Sequence, residues 1–293
     1  MKRIISAIIT VVLALCLSFS LIGCAPSDNS NPSDNNNPSD NSKTIRVGAS
    51  PTPHAEILTQ IKDELKKDGW KLEIVEYDDY VIPNTALESG DLDANYFQHL
   101  PYLNNFNATR DTHIVKAEAI HYEPLTVFGN GVTKANFAAK KTGRTIFIPN
   151  DGSNETRALF LLQDEGYITL RADATADQTL TKSDITDNKG NNIVEVEASY
   201  TPAQLSNSDA GSLAVVNGNY ALAANLNFAN ALATENAAGS AAVLYANIVA
   251  VKQGNENSAK TQALVKALKS QKVYDYILQH YNGAVLPSFT VAD

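Results

Sequence analysis

Cysteine is scarce in this chain of 293 residues, which has two. Cys16 lies in an apolar leader and Cys24 closes it, so no pair remains for a disulfide and the folded part must rely on its apolar core. Clustered lysine and arginine are also missing. The formal net charge is -9, and neutralising phosphates needs a basic patch, so nucleic acid is excluded as a partner. No Gly-x-Ser-x-Gly elbow, no His-Glu-x-x-His pair and no phosphate-cradling glycine loop occurs, which removes the commonest signatures of an enzyme. The five histidines are His54, His99, His113, His121 and His280. None has a His-x-His or His-x-x-x-His neighbour, whereas zinc needs three or four converging ligands. No cofactor and no metal site is implied.

What is present begins with Lys2 and Arg3, an apolar run over residues 4–22, and Leu21-Ile22-Gly23-Cys24 at its exit. A basic start, a short apolar core and small residues at the end form an export signal. Leu-x-Gly-Cys resembles a bacterial lipobox, which implies cleavage before Cys24 and acylation of that residue with fatty chains such as palmitate. Each buried methylene contributes roughly 0.8 kcal/mol, so two or three acyl chains hold a protein on a membrane almost permanently. The polar stretch that follows has no basic stop-transfer cluster, which argues against a spanning helix. The expected location is the cell membrane, lipid-anchored, on the extracytoplasmic face.

Residues 25–43 read APSDNSNPSDNNNPSDNSK. Lacking large apolar side chains, the tract cannot bury enough surface to offset its ordering entropy and is expected to be a disordered tether. As a random coil it spans roughly 25 Å. Beyond it, short apolar runs alternate with amphipathic ones. Residues 45–49 predict a strand, and Ile57, Leu58, Ile61 and Leu65 share one helical face ahead of Gly69. A strand around Leu72 and Ile74, a helix over 83–88 and a strand over 94–97 entering a helix at Pro101 complete a βαβαβα alternation. An extended stretch over 114–128 contains Pro124. The rhythm then resumes with a strand over 145–149, a helix over 154–165 ended by Gly166, and strands over 193–196, 213–216 and 244–251. One final amphipathic helix carries Leu264, Leu268, Ile277 and Leu278. The pattern predicts two α/β lobes meeting near Pro124 and Asn247, with a cleft between them. Periodicity alone leaves open whether the chain returns to the first lobe.

Several runs carry a more specific resemblance. Ala49-Ser50-Pro51-Thr52-Pro53-His54-Ala55-Glu56-Ile57 and Asp93-Ala94-Asn95-Tyr96-Phe97-Gln98-His99-Leu100-Pro101-Tyr102-Leu103 are similar to motifs of the methionine-binding lipoproteins of ABC importers. His121-Tyr122-Glu123-Pro124, Ile148-Pro149-Asn150-Asp151 with Asn154 and Arg157, Val216-Asn217-Gly218-Asn219-Tyr220, Tyr245-Ala246-Asn247 and Gly283-Ala284-Val285-Leu286-Pro287 extend the likeness over the folded body. The resemblance implies a two-lobed periplasmic-binding-protein fold, type II-like, with an interlobe ligand cleft. It implies boundaries at 1–23 for the signal peptide, 24–43 for the lipidated cysteine and tether, 44–124 for lobe 1, 125–246 for lobe 2 and 247–293 for the return to lobe 1. The implied partners are L-methionine, an ABC permease with its ATPase subunit, and the membrane through Cys24. The protein itself would be a monomer and not an enzyme. Residues 170–189 and 225–240 depart from the family pattern and leave open a methionine-containing dipeptide or another amino acid. A metal-binding lipoprotein is the more distant alternative.

A zwitterion needs a cation for its carboxylate, acceptors for its ammonium and an apolar slot for its side chain. The resemblance assigns Arg157 to the carboxylate, gripped by two parallel hydrogen bonds beside the backbone amides of a helix start. Asn217, Asn247 and Asn154 match the asparagines that hold the backbone end of the ligand. Tyr80, Phe97, His99 and Tyr102 match the side-chain pocket, while Tyr96 is expected to be core. Burying a methionine side chain contributes about 1.5–3 kcal/mol, sulfur–aromatic contact about 0.3–1.5 kcal/mol, and each charged hydrogen bond about 1.5–3 kcal/mol. Micromolar affinity corresponds to about 8 kcal/mol, so both ends of the ligand must be held.

Overall fold

A computed structural model describes residues 43–236 and 240–291. The export signal, Cys24 and the tether up to residue 42 lie outside the described residues. Among those described, no helix is long and apolar enough to cross a membrane.

The chain builds one sheet, leaves it for a second, and comes back. β1 (Thr44–Ala49), β2 (Lys71–Glu76), β3 (Ala94–His99) and β4 (Ile114–Tyr122) belong to the first sheet. β5 (Thr126–Gly129), β6 (Thr145–Pro149), β9 (Asn192–Val196), β10 (Leu213–Val216) and β11 (Ala233–Thr234) form the second, and β7 (Thr169–Leu170) pairs with β8 (Ile185–Asp187) as a separate ribbon. β12 (Ala246–Lys252) and β13 (Leu286–Pro287) return to the first sheet. The strand orders are β13-β4-β12-β3-β1-β2 and β11-β5-β10-β6-β9. β1 runs parallel to β2 and β3, and β6 parallel to β9 and β10, as βαβ crossovers require. β12 is antiparallel to both β3 and β4, which places the returning strand in the middle of the first sheet. This is the two-lobed α/β architecture expected above.

Both sheets are buried on two faces, and strand periodicity sorts the side chains between them. In the second sheet Val127, Ile146, Ile148, Leu213 and Val215 pack with Leu159 and Leu162 of the helix Gly152–Asp164. The alternate residues Phe128, Phe147, Ala214 and Val216 meet Leu205, Tyr220 and Ala221 on the other side. In the first sheet Val249 and Val251 face Ile57, Leu264 and Ile277, while Ile248 and Ala250 face Leu87 and Leu103.

Two expectations change. The final amphipathic helix is two helices, Ala259–Leu268 and Gln271–His280. Ser270 breaks it, because its side chain accepts from the N–H of Val273 and caps the second segment. The new phase turns Leu278 outward, 47% exposed, and leaves Val273 and Ile277 in the core. Leu244 also belongs to a short helix, Ser240–Leu244, so the returning strand starts at Ala246.

Candidate functional site

β3 ends at His99, and the next residues start the helix Leu100–Arg110 with Pro101 in its first turn. His99 caps that helix by accepting the Tyr102 N–H on Nδ1 at 3.2 Å. Its remaining nitrogen, Nε2, therefore carries the proton and donates to Asn154 Oδ1 at 3.1 Å. That bond joins the first sheet's helix to the start of the second sheet's helix. Burial, followed by the Arg157 charge, lowers the His99 pKa to about 3, so the imidazole is a neutral donor.

Asn154 sits three residues past Asp151, the cap of the helix Gly152–Asp164. Asp151 accepts the Asn154 N–H at 3.0 Å, and its two oxygens lie 3.0 and 2.9 Å from Asn154 Nδ2, sharing one amide proton. The carboxylate thus caps the helix start and engages the backbone amide of Asn154. With its NH2 group fixed, Asn154 turns Oδ1 toward three donors: His99, Asn217 Nδ2 at 2.9 Å and Arg157 Nη1 at 3.3 Å. It is a junction of the site and not a mere turn former.

Arg157, one turn further along, is 4% exposed. Its partner is neither Glu155 nor Asp164 but Glu235. Nε and Nη2 donate to the two Glu235 oxygens at 3.1 and 2.5 Å, and Nη2 also donates to the Glu123 carbonyl at 3.1 Å. The Tyr245 ring lies 4.4 Å from the guanidinium carbon. Glu235 accepts further bonds from the Tyr122 hydroxyl and the Leu125 N–H. Burial opposes its charge, but Arg157 and these donors hold its carboxyl below the ordinary glutamate value. A protein carboxylate thus fills the two-pronged fork of Arg157 through which a ligand was expected to be gripped.

A small cavity lies between the two sheets, lined by Tyr80, Phe97, His99, Tyr102, Asn154, Arg157, Asn217 and Asn247. The structure therefore brings all eight residues singled out in the sequence to one place. Tyr80 packs against Phe97, Tyr102 and Tyr220 with ring centroids 5.7, 5.6 and 4.9 Å away, forming an aromatic wall. Tyr96 is fully buried, as expected, and bonds to His121.

Gln98, Glu123, Gly218 and Asn219 line the same cavity without having been assigned a role. Glu123 follows β4 and lies beneath the start of the helix Gly218–Ala223. Its Oε1 is 2.6 Å from His121 Nε2 and 3.4 Å from His54 Nε2, and His54 Nε2 is 3.0 Å from Asn247 Oδ1. The motif His121-Tyr122-Glu123-Pro124 was a visible signal for this carboxylate. Burial pushes Glu123 upward and lowers His54 to about 4 and His121 to about 3. Asn217 Oδ1 is buried, with no hydrogen-bond partner among the described residues.

His54, His121 and Glu123 are also where a metal could be held, since their donor atoms lie within 4.8 Å of one another. The hydrogen bonds explain this clustering without an ion. With Tyr96 at His121 Nδ1, its Nε2 bears the proton donated to Glu123. The nitrogens facing Glu123 thus carry protons, which fits a metal poorly, while His54 Nδ1 is buried with no hydrogen-bond partner among the described residues. What the cavity offers instead is an acid-facing polar end, a guanidinium edge and ring faces.

Comparison with known proteins places these features in context. A family model described as NlpA lipoprotein matches residues 45–289. The methionine-binding lipoprotein MetQ of Bacillus subtilis (strain 168) is 37% identical over 248 residues, covering 84% of this chain and 88% of that protein. The crystal structure of lipoprotein Tp32 from Treponema pallidum is similar, with a TM-score of 0.76 and 37% identity over 84% of this chain and 99% of that one. So is a nutrient-binding protein from Burkholderia cenocepacia bound to methionine, with a TM-score of 0.76 and 38% identity over 84% and 100% of the two chains.

Proposed function

The chain belongs to the NlpA lipoprotein family, and from that premise we propose that it is a receptor that captures free L-methionine in the cleft between its lobes. The family is one of substrate-binding lipoproteins and not of enzymes. The lobes are read as residues 44–124 with 247–293, and residues 125–246, joined by the crossings near Pro124 and Ala246.

The observation that carries the reading is Asn217 Oδ1, a buried acceptor without a donor, in a cavity that also holds the Glu123 carboxylate. An unpaired buried acceptor costs about 1–3 kcal/mol, which a ligand ammonium between Asn217 and Glu123 would relieve. The ligand carboxylate would lie against the free edge of Arg157, with Asn247 holding the backbone from the first lobe. Tyr80, Phe97 and Tyr102 would enclose the thioether, whose polarizable sulfur suits ring contacts. His99 would position Asn154 and wall the slot. The rings of Tyr80, Phe97 and Tyr102 leave little free space in the cavity, which favours a single amino acid over a dipeptide.

Closure of the lobes would bury the ligand and create the surface read by an ABC permease, with ATP hydrolysed by a separate subunit. Acylated Cys24 would hold this monomeric receptor on the extracytoplasmic face of the membrane. Calorimetric titration of the full-length protein in detergent tests the reading. L-methionine should bind at micromolar affinity or tighter and a methionine-containing dipeptide at least 10-fold more weakly. Absence of any L-methionine heat would sink it.

A further inference from the structure

We infer that Glu235 is a specificity-determining residue of the cleft, the standing counter-ion of Arg157 that leaves a ligand only one N–H edge of the guanidinium. The inference rests on the amino-acid reading above and concerns how strongly the ligand's carboxylate is recognised.

A guanidinium has five N–H bonds in a fixed fork, and those of Arg157 can be followed one by one. The Nε–H goes to Glu235 Oε1, and the two on Nη2 go to Glu235 Oε2 and the Glu123 carbonyl. One on Nη1 goes to Asn154 Oδ1. A single N–H remains. Arg157 and Asn154 line the cavity whereas Glu235 does not, so the counter-ion reaches the guanidinium from behind and the Nη1 edge faces the ligand. The ligand's carboxylate therefore meets a charge-balanced pair through one hydrogen bond, not an unpaired cation through two.

Glu235 is well placed for this. It directly follows β11 and donates its N–H to the Leu125 carbonyl at 2.8 Å. Its carboxylate accepts from the Tyr122 hydroxyl at 2.7 Å and the Leu125 N–H at 3.2 Å. Tyr122 and Leu125 flank the crossing from the first sheet to the second. The counter-ion is thus anchored to the frame and cannot swing away when a ligand arrives. The other carboxylate of the cavity, Glu123, is turned toward His121 and His54, so Arg157 is balanced mainly by Glu235.

The distinguishing ligand is L-methioninol, which keeps the ammonium and thioether but has no carboxylate. Losing one charged hydrogen bond costs roughly 10- to 100-fold in affinity. In calorimetry with the full-length protein, wild type should bind L-methionine no more than about 100-fold more tightly than L-methioninol. In Glu235→Gln the shape persists but the counter-charge is gone, so that ratio should widen by about 10-fold or more. A residue with only a structural role would weaken both ligands alike and leave the ratio unchanged. A wild-type ratio above about 1000-fold overturns the inference even if Glu235→Gln fails to fold, as does an unchanged or smaller ratio in a folded Glu235→Gln. Failure of wild type to bind L-methionine instead removes the ligand reading on which the inference stands.

Discussion

Tyr80 and Asn219 meet across the cleft, the phenolic hydroxyl donating to the Asn219 amide oxygen at 2.6 Å. Tyr80 precedes the helix Ile82–Ser89 of the first lobe, and Asn219 lies in the helix Gly218–Ala223 of the second. The Tyr220 hydroxyl adds a parallel bond to the Asp78 carbonyl at 3.2 Å. Both bonds join residues on opposite sides of the cleft, so under the proposed closure they would favour the closed form and ligand retention. Tyr80→Phe keeps the ring wall and deletes the bond, which should weaken L-methionine by about 3- to 10-fold. Faster ligand release in stopped-flow fluorescence is the measurement, and an unchanged release rate would show that the contact does not report closure.

Arg157→Ala removes the cavity's guanidinium and strands a largely buried carboxylate. Breaking a buried ion pair from one side costs about 3–5 kcal/mol, so the unliganded protein should melt markedly lower. L-methionine affinity should fall by about 10-fold or more. Arg157→Ala combined with Glu235→Gln should recover part of the stability and none of the affinity. Calorimetry and thermal melts on both variants separate these two roles of Arg157; unchanged affinity in the single variant would place the carboxylate elsewhere.

Much of this architecture was legible because its causes are local. Period-two apolar runs such as Ile146 and Ile148, and the 3.6-period face of Ile57, Leu58, Ile61 and Leu65, need no distant partner to be read. The cavity residues were legible through motif resemblance, which carried Tyr80, Phe97, Arg157 and the asparagines. Glu235 was not, because nothing near it in an alanine- and asparagine-rich stretch signals a partner 78 positions away. The division of the last helix was readable in principle, since Ser270 is a capping residue, but the apolar period runs through it and concealed the break. Position alone could not show that Asp151 would neutralise its own helix start.

Acid should destabilise the protein through its buried imidazoles. His54, His99 and His121 ordinarily titrate near 6.5 and are lowered by burial to about 4, about 3 and about 3. The unfolded chain therefore binds protons below 6.5 that the folded one refuses. Stability is full above that pH, falls on acidification, and levels off near pH 3. Each group contributes a slope of up to about 1.4 kcal/mol per pH unit in that window. Glu123, raised by burial, works the other way above its ordinary value and softens the slope. Urea unfolding at pH 7 and pH 5 should show the loss, and replacing His54 by Asn should flatten the dependence. Equal stability at both pH values in wild type would contradict neutral, inaccessible imidazoles.

Gly218 owes its identity to closeness and not to backbone angle. A Cβ there would lie 2.6 Å from Glu123 Oε2 and 2.8 Å from Glu123 Cβ, inside van der Waals contact. Glu123 cannot yield freely, because His121 and His54 hold its other oxygen and the surroundings are close-packed. Gly218→Ala should therefore displace the carboxylate assigned to the ligand's ammonium. Overpacking of this kind costs about 1–3 kcal/mol of stability, and L-methionine affinity should fall by about 10-fold or more as the charged contact is lost. N-acetyl-L-methionine, which has no ammonium to offer Glu123, should bind wild type weakly and lose little more in the variant. If calorimetry instead shows both ligands weakened by the same factor, Glu123 is not the ammonium's partner, and the polar end of the slot must be reassigned to Asn217 and Asn247.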